Sequence, residues 1–103
     1  LIANSLKNVD VLIAPCVIDF PHYVDDSIHY GPMDNLRGTA FQKFTVPFDY
    51  NRYPTLTLPC GISSSGMPVG LQIIGHPMTE SIICALGAAY ETSTQWSSVH
   101  PNI

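Results

Sequence analysis

Few side chains in this sequence are of a type and spacing that could do chemistry, and each has a plainer role beside it. Ser63, Ser64 and Ser65, with Gly66 after them, carry hydroxyls that become nucleophiles only when a base adjoins them. No base is evident close by, and the segment lies between two apolar runs, where serine and glycine supply a turn through local hydrogen bonds. It reads as a surface turn. Cys16 and Cys60 each follow a proline, and a thiol there would be a nucleophile beside His22, His29 or His76. No spacing joins these residues, and a free cysteine usually packs as a small hydrophobe. His22 and His29 with Asp25 or Asp26 offer imidazole and carboxylate ligands for a metal, but they match no established ligand spacing, so they read as solvated side chains. Glu91, directly after Tyr90, reads as an anchor for a helix rather than as an acid or base.

The element that has to position any such chemistry is the stretch 53–75, YPTLTLPCGISSSGMPVGLQIIG. Leu56 and Leu58 share one side at period two while Thr55 and Thr57 take the other, which is a strand covered on one face. After the serine turn, Val69, Leu71 and Ile73 alternate with Gly70, Gln72 and Ile74, so the pair reads as a hairpin. Pro59 cannot donate to a ladder and marks where the first strand leaves the sheet. Gly70 inside a strand marks a bulge or a place where another backbone or a ligand comes close. Before this pair, the run 9–14, VDVLIA, is β-branched and apolar and suits a strand buried on both faces. Residues 18–32 hold two prolines, three aspartates, two histidines and two tyrosines without a period, and read as a long loop. Asp34 is a plausible N-cap for a helix over 35–44, which Pro47 ends or kinks near Val46. Thr79 caps a second helix running to about Thr94, with Met78 and Ile83 at the two positions of a hydrophobic staple. The tail after Trp96 is polar and expected to fray.

The chain has 103 residues, of which 46% are hydrophobic and only 12% charged. One modest core fits that length, with no internal boundary. So few charges imply that part of the surface is normally covered, as in a segment of a larger protein or an oligomer. A formal charge of -4, with only Lys7, Arg37, Lys43 and Arg52 as scattered cations, excludes a nucleic-acid face. No apolar stretch approaches the roughly 20 residues that span a bilayer. The start, LIANSLKNVD, lacks the basic and apolar regions of a secretion signal and reads as an internal start. Three cysteines cannot all pair within one chain and show no CxxC spacing, which fits a reduced, cytoplasmic setting.

PTLTLPCG followed by GMPVGLQIIG, then PMTES and AAYE, with VDVLIAP near the start and FTVPF in the middle, resembles the C-terminal segment of the amidase signature hydrolases. The resemblance covers nearly the whole chain. It implies an α/β fold of mixed sheet strands flanked by helices, incomplete by itself. It also implies hydrolysis of a carboxamide to an acid and ammonia or amine, without metal or cofactor. In that family a serine nucleophile, a bridging serine held by a cis peptide, and a lysine base carry the reaction, all upstream of the region resembled. Lys7 and Lys43 occupy no matching motif and no GGSSGG-like segment exists, so no catalytic residue is expected here. The family further implies that the segment before TVPF lines the acyl side of the pocket, which makes Phe41, Gln42 and Thr45 the candidates. Gln42 stands where the A subunits of tRNA-dependent amidotransferases carry an aspartate that reads the substrate's amino group. An amide cannot supply that charge, which points to a neutral or aromatic amide. The family's NLxGxP is DYNRYP here, with Arg52 in place of glycine, which implies either a different turn or a divergent branch with a changed pocket. The expected partners are a small-molecule amide in the intact enzyme, and the missing N-terminal part or a second copy of the chain. The alternative is a non-catalytic remnant acting as a binding or oligomerisation module.

Overall fold

The computed structural model describes residues 2–19 and 42–100. In chain order these form helix α1 (Ile2–Leu6), strand β1 (Val11–Pro15), a 3-10 turn (Gln42–Phe44) and helix α2 (Val46–Asn51). Strands β2 (Thr55–Ile62) and β3 (Pro68–Gly75), helix α3 (Glu80–Ser93) and a last 3-10 turn (Trp96–Ser98) follow. The strands make a three-stranded antiparallel sheet in the order β1-β3-β2. The chain is thus a small α/β unit.

β3 takes the centre because both of its sides are covered: Gln72, Ile73, Ile74 and Gly75 are all buried. Its hairpin partner β2 keeps the amphipathic pattern of a strand covered on one face, with Thr55 and Thr57 exposed and Leu58 buried. The register sets Leu58 against Leu71 and Leu56 against Ile73. Pro59 does not end β2 as expected. The strand runs on to Ile62 through a bulge between Pro59 and Gly61, and an edge strand at a bulge tolerates the missing N–H. Gly70 lies opposite Pro59, and the sulfur of Cys16 comes within 2.5 Å of where a Cβ on Gly70 would stand. What comes close to this glycine is thus a side-chain sulfur rather than a backbone or a ligand, and the bulge sits beside it on the neighbouring strand.

β1 departs from expectation. It spans Val11–Pro15 as an antiparallel edge, and Ile13 is 67% exposed rather than buried on both faces. The cause is where the helices lie: α3 packs on β2 and β3, and β1 is met by the short helix α1. Ile83, Gly87 and the half-buried Tyr90 form the inward face of α3, at the period of a helix. A Cβ on Gly87 would collide with Leu56 Cδ2, so a bare backbone is what lets helix and sheet approach this closely. The hydroxyl of Tyr90 donates to Pro59 O at 3.0 Å and fastens the helix to β2. The anchoring role expected of Glu91 thus falls to its neighbour, while Glu91 itself is exposed.

Two caps differ from expectation as well. Thr79 precedes α3 as foreseen, but its hydroxyl donates back to His76 O at 2.7 Å instead of capping the helix. Met78 takes a φ of 65° and is 88% exposed, so it forms no staple with the buried Ile83. The helix expected over 35–44, with its cap Asp34, lies outside the described residues except for its end, which is the 3-10 turn Gln42–Phe44. Pro47 does not end a helix; it sits in the first turn of α2, where its missing N–H would have had no partner. From residue 20 onward the expected long loop also lies outside the described residues. The tail that was expected to fray makes a 3-10 turn against β2.

Arg52 ends α2 in the left-handed region, at φ 60° and ψ 34°, with its N–H on Asp49 O at 3.2 Å. Arg52 thus holds a left-handed conformation that glycine adopts without strain, at a steric cost to its Cβ of about 1–2 kcal/mol. Arg52→Gly is expected to stabilise the chain by about 0.5–1 kcal/mol after the greater freedom of glycine in the unfolded state is subtracted. Urea denaturation checks this as a rise in midpoint without a change in slope.

Candidate functional site

Among the described residues the hydrogen bonds of the serine turn stay within the turn itself. Ser63 N donates to Met67 O at 2.8 Å, Gly66 N to Ser63 O at 2.9 Å, and Met67 N to Ser63 Oγ at 3.0 Å. The hydroxyls of Ser63 and Ser65 are 2.8 Å apart, and Gly66 adopts the positive φ of 80° that the turn requires. These groups close a hairpin and meet no base.

Cys16 and Cys60 both lie near the level of Gly70 on β3, one after β1 and one at the bulge of β2. His76 follows the other end of β3, and its Nε2 is 3.0 Å from Val9 O, so it reaches neither thiol. Cys84 is exposed on α3. His22, His29, Asp25 and Asp26 lie outside the described residues. Among the described residues no group of three or more His, Cys, Asp or Glu side chains is placed to hold a metal ion.

The polar feature of the sheet is Gln72. It is 2% exposed at the centre of β3, between Leu71 and Ile73. Its Nε2 donates to Pro15 O at 3.3 Å, at the end of β1, and also to Phe44 O, the last residue of the 3-10 turn. One amide nitrogen with two hydrogens therefore serves two backbone carbonyls from segments far apart in sequence. Next to the second of them, Thr45 begins α2: its carbonyl accepts from Phe48 N at 3.0 Å and Asp49 N at 3.1 Å. Thr45 N donates to Gln42 O at 3.2 Å, and its hydroxyl lies 3.4 Å from the same oxygen. Asn51 Nδ2 donates to Pro47 O at 2.6 Å, closing the short helix on itself.

Of the three residues expected to line a pocket, Gln42 and Thr45 thus share one turn. Gln42 is exposed and Thr45 half-buried. Phe41 lies outside the described residues. The residue that fixes their turn, Gln72, had only one signal in the sequence: a lone amide in a strand whose neighbours are apolar.

The Amidase family matches residues 2–84. The chain belongs to the amidase family. Similar curated proteins of this family include the glutamyl-tRNA(Gln) amidotransferase A subunit of Thermodesulfovibrio yellowstonii, 35% identical over 98 residues, which is 95% of this chain and 19% of that protein. Those of Trichormus variabilis and Clostridium botulinum (strain Eklund 17B / Type B) are 33% and 34% identical over 100 residues, each 97% of this chain and 20% of the relative. The amidase segment therefore spans about a fifth of the length of the curated relatives it matches. No helix among its described residues is long and apolar enough to cross a membrane.

Proposed function

We propose that this chain is the C-terminal portion of an amidase, supplying sheet core and one wall of a carboxamide pocket. The observation that carries this reading is the turn at Gln42–Phe44: Gln42 is exposed and next to Thr45, while the backbone behind them is tied to the buried Gln72. Phe41, the third candidate for that wall, lies outside the described residues. The amide of Gln42 offers one donor group and one acceptor and no charge, which suits the acyl side of a neutral or aromatic carboxamide. The reaction is acyl transfer to a serine of another segment, bridged by a second serine and assisted by a lysine. The C–N bond breaks, ammonia or amine leaves with a proton, and water hydrolyses the ester to acid. None of those three residues belongs to this chain, and the setting is the cytoplasm.

The exposed apolar side chains support the view that neighbours complete the fold. Ile13 is 67% exposed, and Ile82 and Leu86 on α3 are 45% and 38% exposed. The same observation favours a second reading, in which two copies cover these faces and the chain serves as an assembly module without catalysis. The 103-residue chain is expected to release no ammonia from benzamide or propionamide, and to join hydrolysis only when the upstream polypeptide is supplied. Turnover by the chain alone would place the chemistry in it and end the first reading. A tight dimer in sedimentation, indifferent to the upstream polypeptide, would favour the second.

A further inference from the structure

The structure assigns Gln72 the part of a positioning residue: its side-chain amide holds the Gln42–Phe44 turn against the end of β1 and so sets where the pocket wall stands. This rests on the reading that Gln42 and Thr45 line that wall. The argument begins with burial. A glutamine 2% exposed in the central strand has given up water, and an unpaired amide there would cost more than an apolar side chain of the same size. It is kept paired by Pro15 O and Phe44 O, backbone acceptors at the last residue of β1 and at the end of the 3-10 turn. Two carbonyls facing one nitrogen need two hydrogens from it. Among uncharged side chains only a primary amide provides them, and glutamine has the longer reach. A methionine would fill the space and bond neither carbonyl, and a glutamate would turn an acceptor toward both.

The neighbours strengthen the assignment. Cys16 N donates to Gly70 O at 3.3 Å, two residues before Gln72 on the same strand, so the end of β1 is already seated on β3. The 42–45 segment has no strand pairing to β3 among the described residues. Its attachment there is the bond from Gln72 to Phe44 O, and from that point Thr45 passes the position on through the amides of Phe48 and Asp49. Gln72 touches no substrate in this arrangement; it acts through the turn.

Amide hydrogen exchange on the chain itself tests the assignment without any substrate, comparing Gln72→Met and Gln72→Glu with the parent. The slow amides of Thr45, Phe48, Asp49 and Tyr53 are expected to exchange about tenfold faster in Gln72→Met and faster still in Gln72→Glu. Those of the β2–β3 ladder should move much less. Acceleration spread evenly over the hairpin and the 42–53 segment would mean that Gln72 only supports the core, and no acceleration in either variant would mean that the clamp does not hold the turn. Both results overturn the proposal. Where a variant fails to fold, Gln72→Asn, which keeps the amide but shortens its reach, is read in the same way. Because exchange needs no ligand, failure of the clamp is told apart from failure of the pocket reading, which the hydrolysis experiment decides.

Discussion

Replacing Ile74 by alanine is expected to destabilise the chain by about 2–5 kcal/mol, a large part of the roughly 5–15 kcal/mol that holds a small domain folded. Ile74 is fully buried, at 0% exposure, and stands between Leu12 of β1 and Thr55 of β2 in the register of the sheet. Its removal leaves a cavity where both flanking strands pair with the central one, so collapse from either side is opposed by the ladder itself. Urea denaturation followed by circular dichroism measures the loss, and Ile13→Ala is the control. Ile13 lies on β1 opposite Ile73 but is 67% exposed, and its truncation should change stability by less than about 0.5 kcal/mol. The contrast separates the core this chain carries from the surface that awaits a neighbour. In the presence of whatever covers β1, Ile13→Ala should acquire a cost that the isolated chain does not show.

The hairpin was legible because its signals are local. Period two in Leu56 and Leu58, and turn chemistry at 63–66, need no knowledge of distant residues, and both strands form as read. Helix α3 was legible for the same reason, and it runs from Glu80 to Ser93 close to the bounds read from the sequence. What failed depended on geometry that spacing does not encode. The role of Pro59 turned on β2 being an edge with a bulge, which only the register reveals. The burial of 9–14 turned on where α3 would lie, and an apolar run looks the same whether a helix covers it or not. Met78 failed as a staple because its left-handed backbone leaves the side chain exposed. In the candidate site, the turn containing Gln42 and Thr45 was found by resemblance. Gln72 was not, since its partners are backbone carbonyls 57 and 28 residues away and carbonyls have no residue signature.

On the pocket reading proposed above, Gln42→Asp in the amidase that contains this segment is expected to shift preference by about 10–100-fold from neutral carboxamides toward those with an α-amino group. Gln42 is exposed, so its side chain can be exchanged for a shorter one at little cost to the fold. A carboxylate there would form a charge-assisted hydrogen bond to a substrate ammonium, worth about 1.5–3 kcal/mol where water is excluded. The neutral amide of glutamine lacks that charge and leaves an ammonium without a counterion. For a substrate with no amino group the sign reverses, because the same carboxylate is desolvated with nothing opposite it. The measurement is kcat/KM for an aromatic amide and for its α-amino counterpart, in parent and variant. A change confined to KM would mean that the residue binds the acyl group without sensing the transition state. Equal effects on both substrates would place Gln42 outside the pocket, and with it the turn that Gln72 holds.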